Sequence, residues 1–292
     1  MAGLLSWASG VLPYIKPFNG CLWAALTAHV AELEQRPIRT SKRKRPTHLF
    51  FILRVRQAII WIRRLVRGNL KTKDNRIFTL SRWTGTAHRD PELTITIRTD
   101  ASPTGMGAVL FQGSEPTQWI AIQWDESDHQ FLRATPGEAA WQAEWELLAI
   151  LVAVDVWLPD LSGRTAAVVQ TDATAALFNV KNLSGKTPAM NALTAEIALR
   201  LESVGVETIP EHVMGTLNFE CDALSREAQG ATIPERLREL PRVWPPPRVP
   251  SWFWAWPRDL SSAARLGSGR PGPAQEGAQA LPTWDGPEQW QN

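Results

Sequence analysis

The chain has 292 residues, of which 44% are hydrophobic and 21% are charged, a composition typical of a globular protein rather than a disordered one. Its net charge of +2 conceals a separation of charge, because the stretch from Arg36 to Lys73 holds thirteen lysines or arginines and no acidic residue. The cysteines, Cys21 and Cys221, have neither pair nor cluster spacing, which argues against a disulfide framework or a zinc finger and indicates a reducing, intracellular compartment.

Residues 1–90 are predicted to be helical and basic. A helical spacing places Arg56, Arg63 and Arg67 on one face and apolar residues on another, at positions 52, 55, 59, 62 and 66. The cationic face would bind nucleic-acid phosphates; alternatively, it is the solvated side of an ordinary core helix.

The same segment is not expected to enter a membrane. Four arginines interrupt the apolar run 49–66, and no basic region precedes the apolar amino terminus, so neither a membrane span nor a signal peptide is predicted. The run SKRKR at 41–45 is also compatible with nuclear import, which leaves the cytoplasm and the nucleus both open.

Residues 91–230 are predicted to form an α/β domain in the order β-β-β-α-β-α-α-β-α. Alternating apolar and polar residues predict a strand over 93–99, and Gly105 and Gly107 predict a tight turn before the next strand. Capping-box spacing at 135–138 and a stop at Pro159 predict a long helix. The other predicted elements are strands at 118–124, 165–170 and 206–212, helices at 173–180 and 188–204, and a final helix that contains Asp222.

Residues 231–292 are predicted to be an extended or disordered tail. Half of the 22 prolines lie beyond Gly230, and a Gly-Ser-Ala-Gln-rich end follows. Such a composition does not support a regular element. The alternative is that the tryptophans of this segment dock on the domain or on a partner, at positions 244, 252, 254 and 256.

Four carboxylates at the edges of apolar segments indicate a metal site. Asp100 and Asp172 each follow a predicted strand, and parallel neighbouring strands would project both side chains from one edge of the sheet. Glu146 lies on the intervening helix, and Asp222 lies on the last helix. Carboxylates this close repel each other unless a cation lies between them, and oxygen ligands favour Mg²⁺ or Mn²⁺. The alternative for Asp100 and Asp172 is that each caps the segment after it.

The four segments that hold these acids have characteristic sequences and occur in a characteristic order. They read TDASPTGMGAVL, ELLAI, TDATAAL and HVMGTLNFECDALSR, and together they span roughly residues 93–228. They resemble the type-1 ribonuclease H (RNase H) domain that follows the polymerase in reverse transcriptases of retroelements. Upstream, LPYIKPFNGCLWAAL and RVRQAIIWIRRLVRG resemble part of the connection between the two domains. The resemblance implies a mixed five-stranded sheet flanked by helices.

The resemblance also implies roles for individual residues. Helical spacing alone leaves Glu144 and Glu146 both possible as a ligand; the ELLAI match selects Glu146, and Glu144 is predicted to be a surface acid. His212 would assist proton transfer or product release. Ser102 would reach the minor groove of a hybrid, and Asn218 would contact the substrate or cap the last helix. The implied ligands of two metal ions are Asp100, Glu146, Asp172 and Asp222.

The function that these predictions favour is hydrolysis of the RNA strand of RNA–DNA hybrids with two Mg²⁺ or Mn²⁺ ions. The arginines at 56, 63 and 67, or a polymerase partner, would hold the substrate, because the interval between Asp172 and Asp222 is too short for an extra basic helix. The chain lacks a paired-aspartate polymerase motif, so we expect no DNA synthesis from it alone. The alternative is a non-catalytic, nucleic-acid-binding tether of a truncated reverse transcriptase, which would not need all four acids.

Overall fold

The computed structural model describes a mixed five-stranded sheet flanked by helices, which confirms the predicted fold class. The described residues are 2–12, 15–20, 22–23, 58–60, 62–63, 94–132, 134–135, 138–164, 166–249 and 251–254.

The strand order places the ends of two parallel strands side by side. The strands are β1 (Thr94–Ser102), β2 (Gly105–Gln112), β3 (Glu115–Gln123), β4 (Ala166–Thr171) and β5 (Glu207–His212), in the sheet order β3-β2-β1-β4-β5. Antiparallel pairing joins β1 to β2 and β2 to β3, whereas β4 is parallel to both β1 and β5. Because Arg98 in β1 is in register with Gln170 in β4, both strands end at the same edge of the sheet.

Helices cover the sheet, and one of them is almost wholly enclosed. They are α1 (Ala2–Val11), α2 (Glu126–Leu132), α3 (Gln142–Val156), α4 (Leu158–Leu161), α5 (Thr174–Asn182), α6 (Pro188–Val204), α7 (Phe219–Ser225) and α8 (Glu235–Arg238). Every residue of α3 from Glu144 to Val154 is buried. Within the described ranges, no helix has the length and hydrophobicity needed to cross a membrane. The enclosed α3 is therefore a central helix of the domain.

The boundaries of α6 follow directly from the sequence. The Thr187 hydroxyl accepts a hydrogen bond from the backbone N–H of Met190, and Pro188 occupies the first turn, where its missing N–H costs nothing. The helix ends at Gly205, whose φ of +68° is the left-handed conformation that glycine adopts without strain. The predicted and observed ranges of this helix are the same.

Gly105 and Gly107 lie inside β2 rather than in the turn before it, which corrects the prediction. A Cβ atom on Gly107 would stand 2.3 Å from the Cys221 carbonyl oxygen and 2.4 Å from Leu224 Cβ. A Cβ on Gly105 would stand 2.4 Å from the Ile122 carbonyl oxygen. The glycines are therefore needed for close approach, and at Gly107 it is α7 that packs directly on the strand.

The two outer strands of the sheet have different neighbours. Beside β3, the Trp119 N–H donates to the Pro241 carbonyl at 3.1 Å, and the Val243 N–H donates to the Trp119 carbonyl at 2.8 Å. On the other side, β5 is the last strand among the described residues, and Pro210 lies in its middle. Proline has no N–H to offer to a further strand.

Residues 239–249 and 251–254, here called the C-terminal strap, pack on the domain. Arg248 is buried and donates to both carboxylate oxygens of Asp128, at 2.8 and 2.5 Å. The indole N–H of Trp252 donates to Asp155 at 2.6 Å. The prediction for residues 231–292 is an extended or disordered tail, with docking of its tryptophans as the alternative. Over the described part of the strap the chain is irregular but anchored, and Trp252 docks on the domain. Residues 255–292 lie outside the described residues, so the prediction stands untested there.

The short described pieces of the basic segment touch α6. Ala58 and Ile62 are buried in a cluster with Ala195 and Leu199, whereas Ile59, predicted to share the apolar face, is 38% exposed. Arg63 is exposed. Arg56 and Arg67 lie outside the described residues, and the boundaries proposed at residues 90 and 230 remain predictions.

Candidate metal centre

Three carboxylates meet at the edge where β1 and β4 end. Asp100 lies near the end of β1, Asp172 follows β4, and Glu146 reaches the same edge from α3. One oxygen atom from each of these side chains lies within 4.8 Å of the other two. The arrangement follows from the parallel pairing of the two strands and from the position of α3 beside β1. The structure therefore brings together three of the four predicted ligands.

Uncharged donors orient two of these carboxylates. The Ser225 hydroxyl donates to Asp100 Oδ2 at 2.7 Å, and the Gln142 side-chain amide donates to Glu146 Oε1 at 3.0 Å. The Thr171 hydroxyl lies 3.4 Å from the other Glu146 oxygen, to which it donates. These contacts fix the side chains but do not neutralise their charge.

Burial makes two of the acids reluctant to ionise. Removal from water raises the pKa of Asp100 to about 6, and the charges of Asp172 and Asp222 raise it as well. Burial likewise raises the pKa of Glu146 to about 8, with the charges of Asp100 and Asp172 acting in the same direction. A divalent cation between these oxygens would favour the ionised forms, so the cluster has the electrostatics expected of a cation site.

Asp222 lies outside the three-acid cluster. Its side chain is 46% exposed, and its Oδ1 forms an ion pair at 2.6 Å with Nη2 of Arg226, the residue that follows α7. Its charge nevertheless contributes to the raised pKa of Asp100. The predicted fourth ligand is thus near the cluster but paired with an arginine.

His212 lies at the same edge as the acids. It is the last residue of β5, is exposed, and is in register with Thr171, the residue before Asp172. The loop that follows passes close to the cluster, because a Cβ atom on Gly215 would stand 3.2 Å from Asp172 Oδ2. This location is compatible with the predicted assisting role, which stays a prediction.

Ser102 and Asn218 are both buried, and Asn218 stands at the N-cap position of α7. Ser102 is buried, and its hydroxyl donates to the Ser225 carbonyl at 2.9 Å. Asn218 is fully buried and donates to the Thr99 carbonyl at 3.2 Å; although it precedes α7, its side chain makes no capping hydrogen bond. Both side chains attach α7 to β1, and their predicted roles toward the substrate stay predictions.

Glu144 is not the surface acid that was predicted. It is 3% exposed, and its Oε1 accepts a hydrogen bond from the Thr187 hydroxyl at 3.0 Å. The reason is that α3 is covered on both sides, by β1 on one and by α6 on the other. Glu144 and Glu146 are two residues apart, about 200° around a helix, and so belong to different environments.

The sequence reasoning missed two residues that hold the acids. Ser225 lies three residues after Asp222, and Gln142 lies four residues before Glu146. Both spacings place a polar side chain on the helix face of the predicted ligand, which was the available signal.

Comparisons with known proteins bear on this domain. Residues 90–201 match the family model of the RNase H-like domain found in reverse transcriptase, which confirms the resemblance over that part of the chain. A sequence search among curated proteins gives no match.

Several solved structures are similar to the chain. The N-terminal RNase H domain of Rv2228c from Mycobacterium tuberculosis, solved as a fusion with maltose-binding protein, is 20% identical with a TM-score of 0.36, covering 46% of this chain and 97% of that one. RNase H1 from the archaeon Halobacterium salinarum NRC-1 is 13% identical with a TM-score of 0.36, covering 48% and 98%. LC11-RNase H1, solved with an RNA/DNA hybrid, is 15% identical with a TM-score of 0.37, covering 48% and 99%.

Proposed function

We propose that this chain, whose residues 90–201 match the RNase H-like domain found in reverse transcriptase, is a metal-dependent ribonuclease that hydrolyses the RNA strand of RNA–DNA hybrids. The observation that carries the proposal is the approach of Asp100, Glu146 and Asp172 to within 4.8 Å of one another at one edge of the sheet. A tether without catalysis gains nothing from acids that repel each other in a buried place.

The donor set fits Mg²⁺ or Mn²⁺. It consists of carboxylate oxygens, which these hard ions prefer, and it contains no cysteine or histidine of the kind that would favour zinc. We assign the binding of two ions to Asp100, Glu146 and Asp172, with Asp222 as the fourth ligand. When bound, such ions supply an activated water molecule and compensate the negative charge that develops on the leaving oxygen.

The protein's own residues would prepare this edge for the reaction. Ser225 and Gln142 hold the carboxylates of Asp100 and Glu146 in fixed directions, so that little reorganisation is needed when a phosphodiester arrives. We assign to His212, exposed at the end of β5, assistance in proton transfer or product release.

The substrate would be held by positive charge as well as by the site. We assign phosphate binding to the basic segment with Arg56, Arg63 and Arg67, of which Arg63 is exposed in the described part. We further infer that the chain derives from the reverse transcriptase of a retroelement and that a polymerase domain is its natural partner. In that setting, the polymerase would deliver the hybrid and this domain would remove the copied RNA.

The proposal is tested by cleavage of an end-labelled RNA–DNA hybrid by the full chain with Mg²⁺ or Mn²⁺. We expect loss of the RNA strand only when the ion is present. Asp100→Asn should slow cleavage by more than roughly 100-fold, since loss of an outer partner of a metal ligand alone costs 10- to 100-fold.

Single-stranded RNA of the same sequence is the matched substrate control and should remain intact. If a demonstrably folded protein binds the hybrid without cleaving it under either ion, the enzyme proposal is wrong and the tether function replaces it.

A further inference from the structure

The pair formed by Asp222 and Arg226 has properties unlike the other contacts of the site. Both side chains are about half exposed, at 46% and 54%, and one contact of 2.6 Å joins Asp222 on α7 to Arg226, which follows the last residue of that helix. Exposed ion pairs of this spacing contribute little to stability, because water screens them and both side chains lose freedom. The pair is therefore easily opened by a stronger partner for either residue.

The helix that carries the pair is firmly placed. The Ser225 hydroxyl is bonded to Asp100, and the backbone of Cys221 lies too close to Gly107 for any side chain to fit between them. A change of partner at Asp222 or Arg226 thus needs only side-chain rotation, with α7 staying in position.

The charged groups near Asp100 indicate which partners Asp222 and Arg226 would bind in place of each other. The charges that act on Asp100 are the acids Asp172 and Asp222 and the cation Arg226. A divalent ion among the acids would attract the Asp222 carboxylate. Arg226 would then be left with its donors exposed at the edge of the site, and the anionic group that a nucleic acid brings there is a phosphate.

We propose that Arg226 is a substrate-binding residue that exchanges partners: it holds Asp222 aside before the ions are bound, and it binds a backbone phosphate of the nucleic acid once Asp222 has turned to the ions. This inference rests on the proposed function. It predicts that replacing Arg226 strengthens the binding of metal ions and weakens the binding of the nucleic-acid substrate.

The metal half is tested by titrating the full chain with Mn²⁺ and following free ion by electron paramagnetic resonance. We expect Arg226→Gln to tighten the weaker binding step by about two- to fivefold, the size of an exposed ion pair. The same substitution in an Asp222→Asn background should have a clearly smaller effect, because only the direct action of the Arg226 charge on Asp100 remains. An effect of equal size in the Asp222→Asn background reflects general charge and overturns the exchange, as does unchanged or weaker binding.

The substrate half is tested by the salt dependence of KM for a labelled hybrid. Arg226→Gln should raise KM about tenfold and reduce the slope of log KM against log salt by about one, as expected for one lost phosphate contact. Arg226→Lys should restore most of the slope. Arg238→Gln is the matched control, since Arg238 is exposed on α8 and donates to the Ile233 carbonyl; it should leave the slope unchanged. An unchanged slope in Arg226→Gln overturns phosphate binding.

The proposed function and the role of Arg226 can be overturned independently of each other. If the wild-type chain cleaves no hybrid, the proposed function is wrong, and the Mn²⁺ titration still decides whether Arg226 competes for Asp222. If the wild type cleaves and Arg226→Gln behaves as the wild type in both assays, only the role of Arg226 is wrong.

Discussion

The acidic cluster at the sheet edge and the acids beneath the C-terminal strap place the same chemical group in similar burial but compensate it differently. Under the strap, Arg248 contacts both oxygens of Asp128, and Arg200 contacts Asp155 and Glu196 at 2.6 Å each. In the cluster, Asp100 and Glu146 receive hydrogen bonds from uncharged side chains. Under the strap, an arginine of the chain itself balances the charge of the carboxylates. In the acidic cluster, that balance is left to a cation from outside the chain.

This difference teaches how a buried carboxylate is to be interpreted. With an internal cation it belongs to the packing, and loss of the cation leaves an unpaired buried charge. Without one it lowers the stability of the fold, and a bound ion regains that stability. Opposite responses to substitution, pH and metal are therefore expected in the two regions.

The largest effect is expected under the strap. Arg248→Ala should lower the free energy of unfolding by roughly 3–5 kcal/mol, because it leaves Asp128, 1% exposed, without its charge partner. Urea unfolding followed by tryptophan fluorescence measures the change. Arg238→Ala, at an exposed arginine that donates to the Ile233 carbonyl, is the control and should shift stability by less than about 0.5 kcal/mol. A loss below about 1 kcal/mol for Arg248→Ala would contradict the assigned role of this pair.

The cluster should give a pH dependence when divalent ions are chelated. The pKa of Glu146 is raised to about 8 in the folded state, so its contribution to stability is complete below its ordinary value near 4.5 and is lost as pH rises through about 8. The contribution of Asp100 to stability is lost in the same way as the pH rises from about 4 to about 6.

Replacing Glu146 should remove most of that slope. The glutamine of Glu146→Gln stays neutral at every pH, and one pKa unit corresponds to about 1.4 kcal/mol. We therefore expect the free energy of unfolding of Glu146→Gln to exceed that of the wild type by more than about 1 kcal/mol at pH 8 and to match it near pH 4. Parallel pH curves for the two proteins, measured by thermal unfolding in chelator, would show that Glu146 is not the group responsible.

Metal should act on the cluster and not on the strap. At pH 8, Mg²⁺ at ten times its dissociation constant should stabilise the wild type by about 1.4 kcal/mol, from the mass-action relation for a ligand of the folded state. Asp172→Asn should lose most of this rise in Tm, whereas Arg238→Ala should keep it. Sodium chloride at equal ionic strength serves as the salt control, and an equal shift with it would mean that the effect is screening rather than binding.

The smallest effect separates two acids on one helix. Glu144→Gln should change the free energy of unfolding by less than about 1.5 kcal/mol, since the Thr187 hydroxyl can still donate to the remaining carbonyl oxygen. The Mg²⁺-dependent rise in Tm should stay as in the wild type. If Glu144→Gln abolishes that rise, the choice of Glu146 over Glu144 as the ligand is wrong.

The fold was largely accessible from the sequence because its signals are local. Alternation of apolar and polar residues predicted β1, a capping box and a proline stop predicted the helix that became α3, and the predicted range 188–204 matches α6. The meeting of Asp100 with Asp172 also followed, since parallel pairing is the common solution for a β-α-β unit. Three short helices, α2, α4 and α8, have no strong periodicity and were not predicted.

The remaining features depend on contacts between residues far apart in the chain. Ser225 bonds to Asp100 across 125 positions, and Arg248 bonds to Asp128 across 120. No periodicity encodes such pairs. The proline-rich composition correctly predicted that the strap has no long regular element, but it carries no information about whether an irregular chain finds buried partners. The prediction that Glu144 is a surface acid fails for the same reason. Its burial results from contact with α6, and the sequence around Glu144 does not encode that contact.

The two edge strands of the sheet, β3 and β5, also affect whether copies of the chain associate with each other. A border strand with free N–H and C=O groups is a template for pairing with another copy, the first step of aggregation. Here the backbone around Pro241 and Val243 occupies the border at β3, and Pro210 interrupts the donors of β5. The strap lies beyond the residues 90–201 that match the family. A chain shortened to that match would lose α7 and β5 and would present the β3 border to its neighbours, so the strap acts as a guard against self-association as well as a support for the fold.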